Sequence, residues 1–121
     1  MLGRGLLALS AVLLGLTITP PVLAATPTAL TIEGGPLSST DPALVQLDAD
    51  LYLPSSTPAP AIVLAHGFGG SKESVISEAE YLADRGFVVL AYTARGFGSS
   101  TGTISMNSPN FEVADASSII D

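Results

Sequence analysis

Two uninterrupted apolar runs, Ala61-Ile62-Val63-Leu64-Ala65 and Phe87-Val88-Val89-Leu90-Ala91-Tyr92, bracket a segment of helical period, and this arrangement restricts the fold more than any other feature of the chain. Runs without polar alternation suit strands buried on both faces, the condition of a parallel sheet. Between them Ser71 suits a helix cap, and Val75, Ile76, Ala79 and Leu82 recur at helical spacing. Gly86 suits the C′ position, after Arg85, a cation in the last turn. Strand, helix and strand in such close succession make a βαβ unit, which predicts two parallel strands and a right-handed crossover.

The flanks extend this unit. Val45, Leu47, Ala49, Leu51 and Leu53 alternate with Gln46, Asp48, Asp50 and Tyr52, a period of two that predicts a half-exposed, antiparallel strand with one apolar face and one wet face. Residues 25–42, rich in Thr, Ser, Gly and Pro, read as a lead-in segment holding at most one short strand near Ala29 to Glu33. Pro54 to Pro60 is a breaker loop, and Thr93 to Asn107 is a loop rich in Gly and Ser. Ser108-Pro109 resembles an N-cap with proline at the first helical position, and Val113, Ala116 and Ile120, with Ile119 beside them, outline an apolar stripe. The stripe stops at Asp121 without a helix-ending signal. Two buried strands with one complete helix leave a core unfinished, so we expect a fragment of a longer open α/β protein.

Residues 1–24 read as a signal peptide. Arg4 is a short positive region and Gly5 to Ile18 is an apolar stretch too short to span about 30 Å of hydrocarbon as a helix. Pro20 and Pro21 then stop that helix, and cleavage is expected after Ala24, with Ala25 nearly as suitable. A secreted or cell-envelope location follows, with membrane contact only during export.

The net charge of −7 excludes a phosphate-neutralising surface, so nucleic acid is not an expected partner. No cysteine and a single histidine leave no basis for a thiolate nucleophile or a metal site. Chemistry must then come from hydroxyls, carboxylates, His66 and backbone amides. In open α/β sheets the loops at the carboxyl ends of the strands form the ligand crevice, which selects His66 to Ser71 and Thr93 to Gly102.

Three nucleotide or acyl readings compete for the first loop. Gly67 and Gly69 fit a dinucleotide fingerprint, but Lys72 holds its sixth position, and only Arg95 could meet a 2′-phosphate, as in an NADP-binding βαβ domain. A Walker loop needs Gly directly before Lys-Ser/Thr, and Ser71-Lys72-Glu73 does not provide it. An apolar strand ending in His66-Gly67-Phe68-Gly69 resembles instead the loop of α/β-hydrolases that lends an amide to an oxyanion, with Phe68 as the donor and His66, Gly67 and Gly69 supporting the loop.

Gly98-Ser99-Ser100-Thr101-Gly102 matches G-x-S-x-G literally, yet Ser100 lacks the strand before it and the helix after it that a nucleophile elbow requires. The one histidine also precedes it, contrary to the order nucleophile, acid, histidine of that fold. Glu112 and Asp115 read as a solvated helix start favoured by the helix dipole rather than a catalytic dyad.

Taken together, Leu47 to Pro54, Ala65 to Lys72, Leu82 to Leu90, Ala94 to Gly102 and Glu112 to Ala116 resemble the amino-terminal part of α/β-hydrolases, most closely the Xaa-Pro dipeptidyl-peptidase-like group, which also includes acyl-ester hydrolases. The resemblance covers about residues 43–121 and implies an open, mostly parallel sheet entered through an antiparallel strand, cut before the nucleophile elbow. It implies a serine hydrolase of small peptide or ester substrates, without cofactor or metal. The catalytic Ser, Asp and His would all lie beyond Asp121, so this chain would hold none of them and be inactive alone. It also makes the Arg95-Gly96 loop part of the scaffold beside the site. The alternative is a non-catalytic exported binding or structural module.

Overall fold

The structure, a computed structural model, describes residues 10–18 and 25–121. Arg4, Pro20, Pro21 and the expected cleavage position after Ala24 lie outside the described residues. The helix expected in the apolar stretch is not seen where it can be followed, because residues 10–18 form neither helix nor strand and are exposed. A helix that short has no packing partner to offset its nucleation cost. Among the described residues no helix is long and apolar enough to cross a membrane.

Residues 25–121 build one four-stranded sheet with a helix on each face. The strands are β1 (Thr28–Pro36), β2 (Leu44–Tyr52), β3 (Ala61–Ala65) and β4 (Val88–Tyr92), in the spatial order β1-β2-β4-β3. β1 pairs antiparallel with β2 and β2 antiparallel with β4, while β3 and β4 run parallel as the βαβ spacing predicts. A turn of 3-10 helix, Lys72–Val75, leads into α1 (Ile76–Ala83), and α2 (Glu112–Ile120) follows the long loop after β4.

β1 is longer than the expected short strand. Seven of its nine residues find partners on β2, between Leu44 and Leu51, which supplies the backbone pairing that its sparse apolar pattern does not advertise. The register shifts between Glu33 and Pro36, where Gly34 and Gly35 form a bulge. Bulges redirect the backbone groups they carry; this one turns the Gly35 amide onto Asp115 (2.7 Å).

α1 covers one face of the sheet. Its Ala79 and Ala83 pack with Tyr52, Val89 and Ala91 into a buried cluster, against which Leu64, Val75, Leu82 and Phe87 rest. Tyr52, expected on the wet face of β2, is thus only 1 % exposed, because α1 lies over the end of that face. Ser71 opens the 3-10 turn in extended conformation, but the local bonds run from its amide to Ser74 Oγ (3.2 Å) and from the Ser74 amide to its carbonyl (2.9 Å). The helix stops as expected. Gly86 has φ of +93°, and the amides of Gly86 and Phe87 close on the carbonyls of Ala83 and Leu82, a Schellman pair that requires the left-handed conformation. Arg85 donates to the Tyr81 carbonyl, satisfying one of the last acceptors of the helix.

Three expectations change on the other face. β3 is an edge strand of this sheet, and Ala61, Val63 and Ala65 are exposed, so it is not buried on both sides. Ser108-Pro109 forms a turn before α2 rather than its start, since the Phe111 and Val113 amides both return to the Ser108 carbonyl and the helix begins at Glu112. The stripe of Val113 and Ile120 points outward. α2 packs on β1 through a face that includes Ala114 and Asp115, where the bulge glycines leave room.

Candidate functional site

The carboxyl ends of β3 and β4 carry the two loops singled out by the sequence, and one side chain joins them. Nε2 of His66 accepts the Ala94 amide (3.0 Å), which places the proton on Nδ1, 2.7 Å from the Gly67 carbonyl oxygen. His66 is therefore a brace between the two strand ends. Phe97 extends the brace, packing edge-on against both His66 (centroids 5.3 Å apart) and Phe68 (5.4 Å).

The glycine loop itself is closed by a bond from the Gly70 amide to the Gly67 carbonyl (3.0 Å). Gly69 sits at φ of +82°, a conformation that L side chains rarely adopt. Phe68 projects its ring outward at 81 % exposure, and its backbone amide donates to no protein acceptor among the described residues. His66, Gly67 and Phe68 line one wall of a cleft of about 280 Å³. Ala94, Phe97, Ile104, Met106, Asn107 and Glu112 line the rest, with part of Arg95.

The charged residues around the cleft are committed to the scaffold. Arg95 Nε and Nη2 donate to the two oxygens of Asp115 (both 2.6 Å), and Nη1 donates to the Pro36 carbonyl (3.0 Å). The paired carboxylate holds the guanidinium pKa above its ordinary value against the cost of burial. Arg95 is 1 % exposed, so it cannot meet a 2′-phosphate and the NADP reading fails. Asp115, expected in solvent at a helix start, is 2 % exposed instead, because Arg95 and the Gly35 amide take both its oxygens. Glu112 is likewise engaged. Its oxygens accept the amides of Ser105 (2.5 Å) and Ser108 (2.9 Å). Burial raises its pKa, and those amides together with Arg95 outweigh burial, so that the carboxyl sits below its ordinary range.

Lys72 belongs to no phosphate loop. Its Nζ donates to Asp48 (2.9 Å) and Asp50 (2.8 Å), neighbours on one face of β2. Burial opposes the ammonium charge, but the bonds to Asp50 and Asp48 prevail and raise its pKa. Ser100 is no free nucleophile either. Its Oγ donates to the Thr93 carbonyl (2.6 Å) and accepts the Asp48 amide (3.0 Å), while Thr101 Oγ1 accepts the Gln46 amide (2.8 Å). The G-x-S-x-G stretch is a seam along β2. Spacing alone could not reveal these ties, since Arg95–Asp115, Lys72–Asp50 and Ser100–Asp48 all bridge separate elements.

A βαβ unit entered through an antiparallel hairpin, with strand order 1-2-4-3 and a glycine loop facing a cleft at the strand ends, is the amino-terminal architecture of the α/β-hydrolase fold. The sequence model of the X-Pro dipeptidyl-peptidase (S15 family) matches residues 42–121, and the chain belongs to that family. Solved structures agree on the fold. A hypothetical protein of Pseudomonas aeruginosa is 29 % identical with a TM-score of 0.64, over 95 % of this chain and 35 % of that one. Epoxide hydrolase A of Mycobacterium thermoresistibile is 26 % identical (TM-score 0.62; 79 % and 28 %). A thermophilic esterase of Thermogutta terrifontis, at 20 % identity, shares the fold (TM-score 0.56; 76 % and 30 %). The chain thus spans about a third of the length of the structures it matches. No curated protein matches it.

Proposed function

We propose that this chain is the amino-terminal portion of an exported serine hydrolase that cleaves small peptides of the Xaa-Pro type or acyl esters. The observation that carries the reading is the Phe68 amide, without a protein acceptor among the described residues, beside a cleft at the strand ends. In acyl transfer a serine oxygen adds to the carbonyl carbon, and the negative oxygen that develops is stabilised by fixed amide donors. Phe68 N–H supplies one donor, and the residue after the nucleophile supplies the other. The nucleophile, its histidine base and the acid lie in sequence following residue 121, in line with the committed roles of Ser100, His66 and Asp115 here. Residues 1–24 direct export, and their apolar, arginine-led composition supports this.

A fluorophosphonate probe tests the proposal. The intact gene product, recovered from culture medium or cell envelope, is expected to be labelled on one serine outside residues 1–121 and to lose peptide or ester turnover with labelling. Loss of a triad nucleophile removes about six orders of magnitude in rate, so the 121-residue chain is expected to show neither label nor turnover. Labelling of Ser100, or absence of any labelled serine in an active product, overturns the reading.

A further inference from the structure

Glycine occupies three of the four positions between His66 and Ser71, so the loop that carries the Phe68 amide has little local preference to hold its shape. Neighbours restrain it little. A Cβ on Gly67 or Gly69 would meet no atom within 4 Å, and Gly67, Phe68 and Gly69 are all exposed. The bond from Gly70 to Gly67 closes the loop on itself, and the edge contact with Phe97 engages the Phe68 ring rather than its backbone. The direction of the Phe68 amide is therefore set where the loop ends.

Those ends are tied to consecutive residues at the exit of β4. His66 Nε2 takes the Ala94 amide at one end, and at the other the Lys72 amide donates to Thr93 Oγ1 (3.0 Å) in a buried bond. The second tie is one side of a closed triangle. The Thr93 amide donates to the Asp48 carbonyl (2.8 Å), and Lys72 Nζ returns to the Asp48 carboxylate (2.9 Å), with Asp50 as a second acceptor (2.8 Å). Its corners stand on β2, on the end of β4 and on the 3-10 turn that follows the loop. Thr93 is 0 % exposed and Lys72 8 %, so water has little access to replace these bonds. Sliding the loop end along the sheet would lengthen at least one side.

We propose that Thr93 and Lys72 are positioning residues for acyl transfer, fixing through this triangle where the Phe68 amide points. The inference rests on the acyl-transfer reading above and adds the residues that aim its donor. Neither residue touches a reacting atom. The donor meets full negative charge only as the oxyanion forms, so a donor displaced by loss of the triangle slows the reaction without weakening the binding that precedes it.

Fluorophosphonate labelling of the intact gene product supplies the test, because its kinetics separate the maximal rate from the half-saturating concentration. Thr93→Val keeps the shape of the side chain and removes the acceptor of the Lys72 amide. It is expected to lower the maximal rate about tenfold while half-saturation stays within about twofold. Thr93→Ser keeps the hydroxyl and loses the methyl that faces Gly98; it is expected to restore most of the rate although its melting temperature falls. A purely structural role would not separate rate from stability in this way. Lys72→Met removes the ammonium from another side of the triangle, is expected to slow labelling alike, and decides the matter should Thr93→Val fail to fold. In the parent itself the Lys72 amide is expected to resist hydrogen exchange, and rapid exchange there counts against the triangle. Parent-like rates in Thr93→Val and Lys72→Met, a loss in Thr93→Ser as large as in Thr93→Val, or a change confined to half-saturation overturns the inference. The two proposals fail separately: a parent with no labelled serine removes the hydrolase and this role with it, whereas serine labelling that both variants preserve leaves the hydrolase standing and removes the role alone.

Discussion

Arg95 and Asp115, twenty residues apart, meet as a two-point ion pair whose side chains are 0 % and 3 % exposed. The pair fastens the loop after β4 to α2, and its third and fourth bonds, to Pro36 O and from Gly35 N, fasten both to the end of β1. Removing one charge leaves the other buried without its counter-ion. Asp115→Asn is expected to destabilise the chain by about 3–5 kcal/mol, read as a lower urea midpoint. Replacing the two residues together by Met and Leu is expected to recover most of that loss. An unchanged midpoint in Asp115→Asn contradicts the assignment.

The bulge in β1 brings backbone against the same carboxylate. A Cβ on Gly34 would lie 2.6 Å from Val45 Cγ1 and in contact with Asp115 Oδ1. Gly34→Ala is therefore expected to cost about 1–3 kcal/mol in the same measurement. Stability at or above that of the parent would show that this approach is looser than described.

Ser100 is expected to matter for stability and not for chemistry. Ser100→Ala deletes both bonds of its hydroxyl, leaving the Asp48 amide and the Thr93 carbonyl without that partner. A loss of about 1–2 kcal/mol follows. Fluorophosphonate labelling and turnover of the intact gene product are expected to persist in the variant, and their disappearance would assign Ser100 the role the structure denies it.

Acid is expected to release the loop held by Glu112. Its folded pKa lies below the ordinary 4.5, so the bracket contributes fully above that value and fades as pH falls through the lower folded value. The facing groups are the Ser105 and Ser108 amides and the Arg95 guanidinium, none of which titrates in this window. Melting followed from about pH 6 to about pH 3 is expected to show a smaller acid loss in Glu112→Gln than in the parent. Parallel curves would show that the carboxylate contributes nothing.

The sequence disclosed most where one residue acts on its own backbone. Gly86 ends α1 because a left-handed residue is required there, and the apolar runs at 61–65 and 87–92 pair in parallel because the helix between them allows it. It disclosed less where a side chain acts on a distant element. Asp115 and Glu112 look alike at the start of a helix, and only the placement of Arg95, Gly35 and the 105–108 loop distinguishes a buried ion pair from a loop bracket. Tyr52 sits among aspartates in sequence yet lies beneath α1, while Val63 in an apolar run lies open on an outer strand. The cleft was legible as a loop at a strand end. Its lining at Met106 and Asn107, with φ of +56° and +62°, was not, since no local pattern announces two left-handed residues in succession.

The hydroxyl seam beside β2 has a further consequence for how this region tolerates evolutionary change. Past Tyr92 the ladder between β2 and β4 ends, and Ser100 and Thr101 accept the Asp48 and Gln46 amides with their hydroxyls where a neighbouring strand would have used its carbonyls. Stitches of that kind are set by residue identity and by spacing at once. Adding or deleting a single position between Thr93 and Thr101 would throw every stitch out of step and unzip the upper sheet, so length drift in homologues should avoid this tract and collect in the proline-rich connection between β2 and β3.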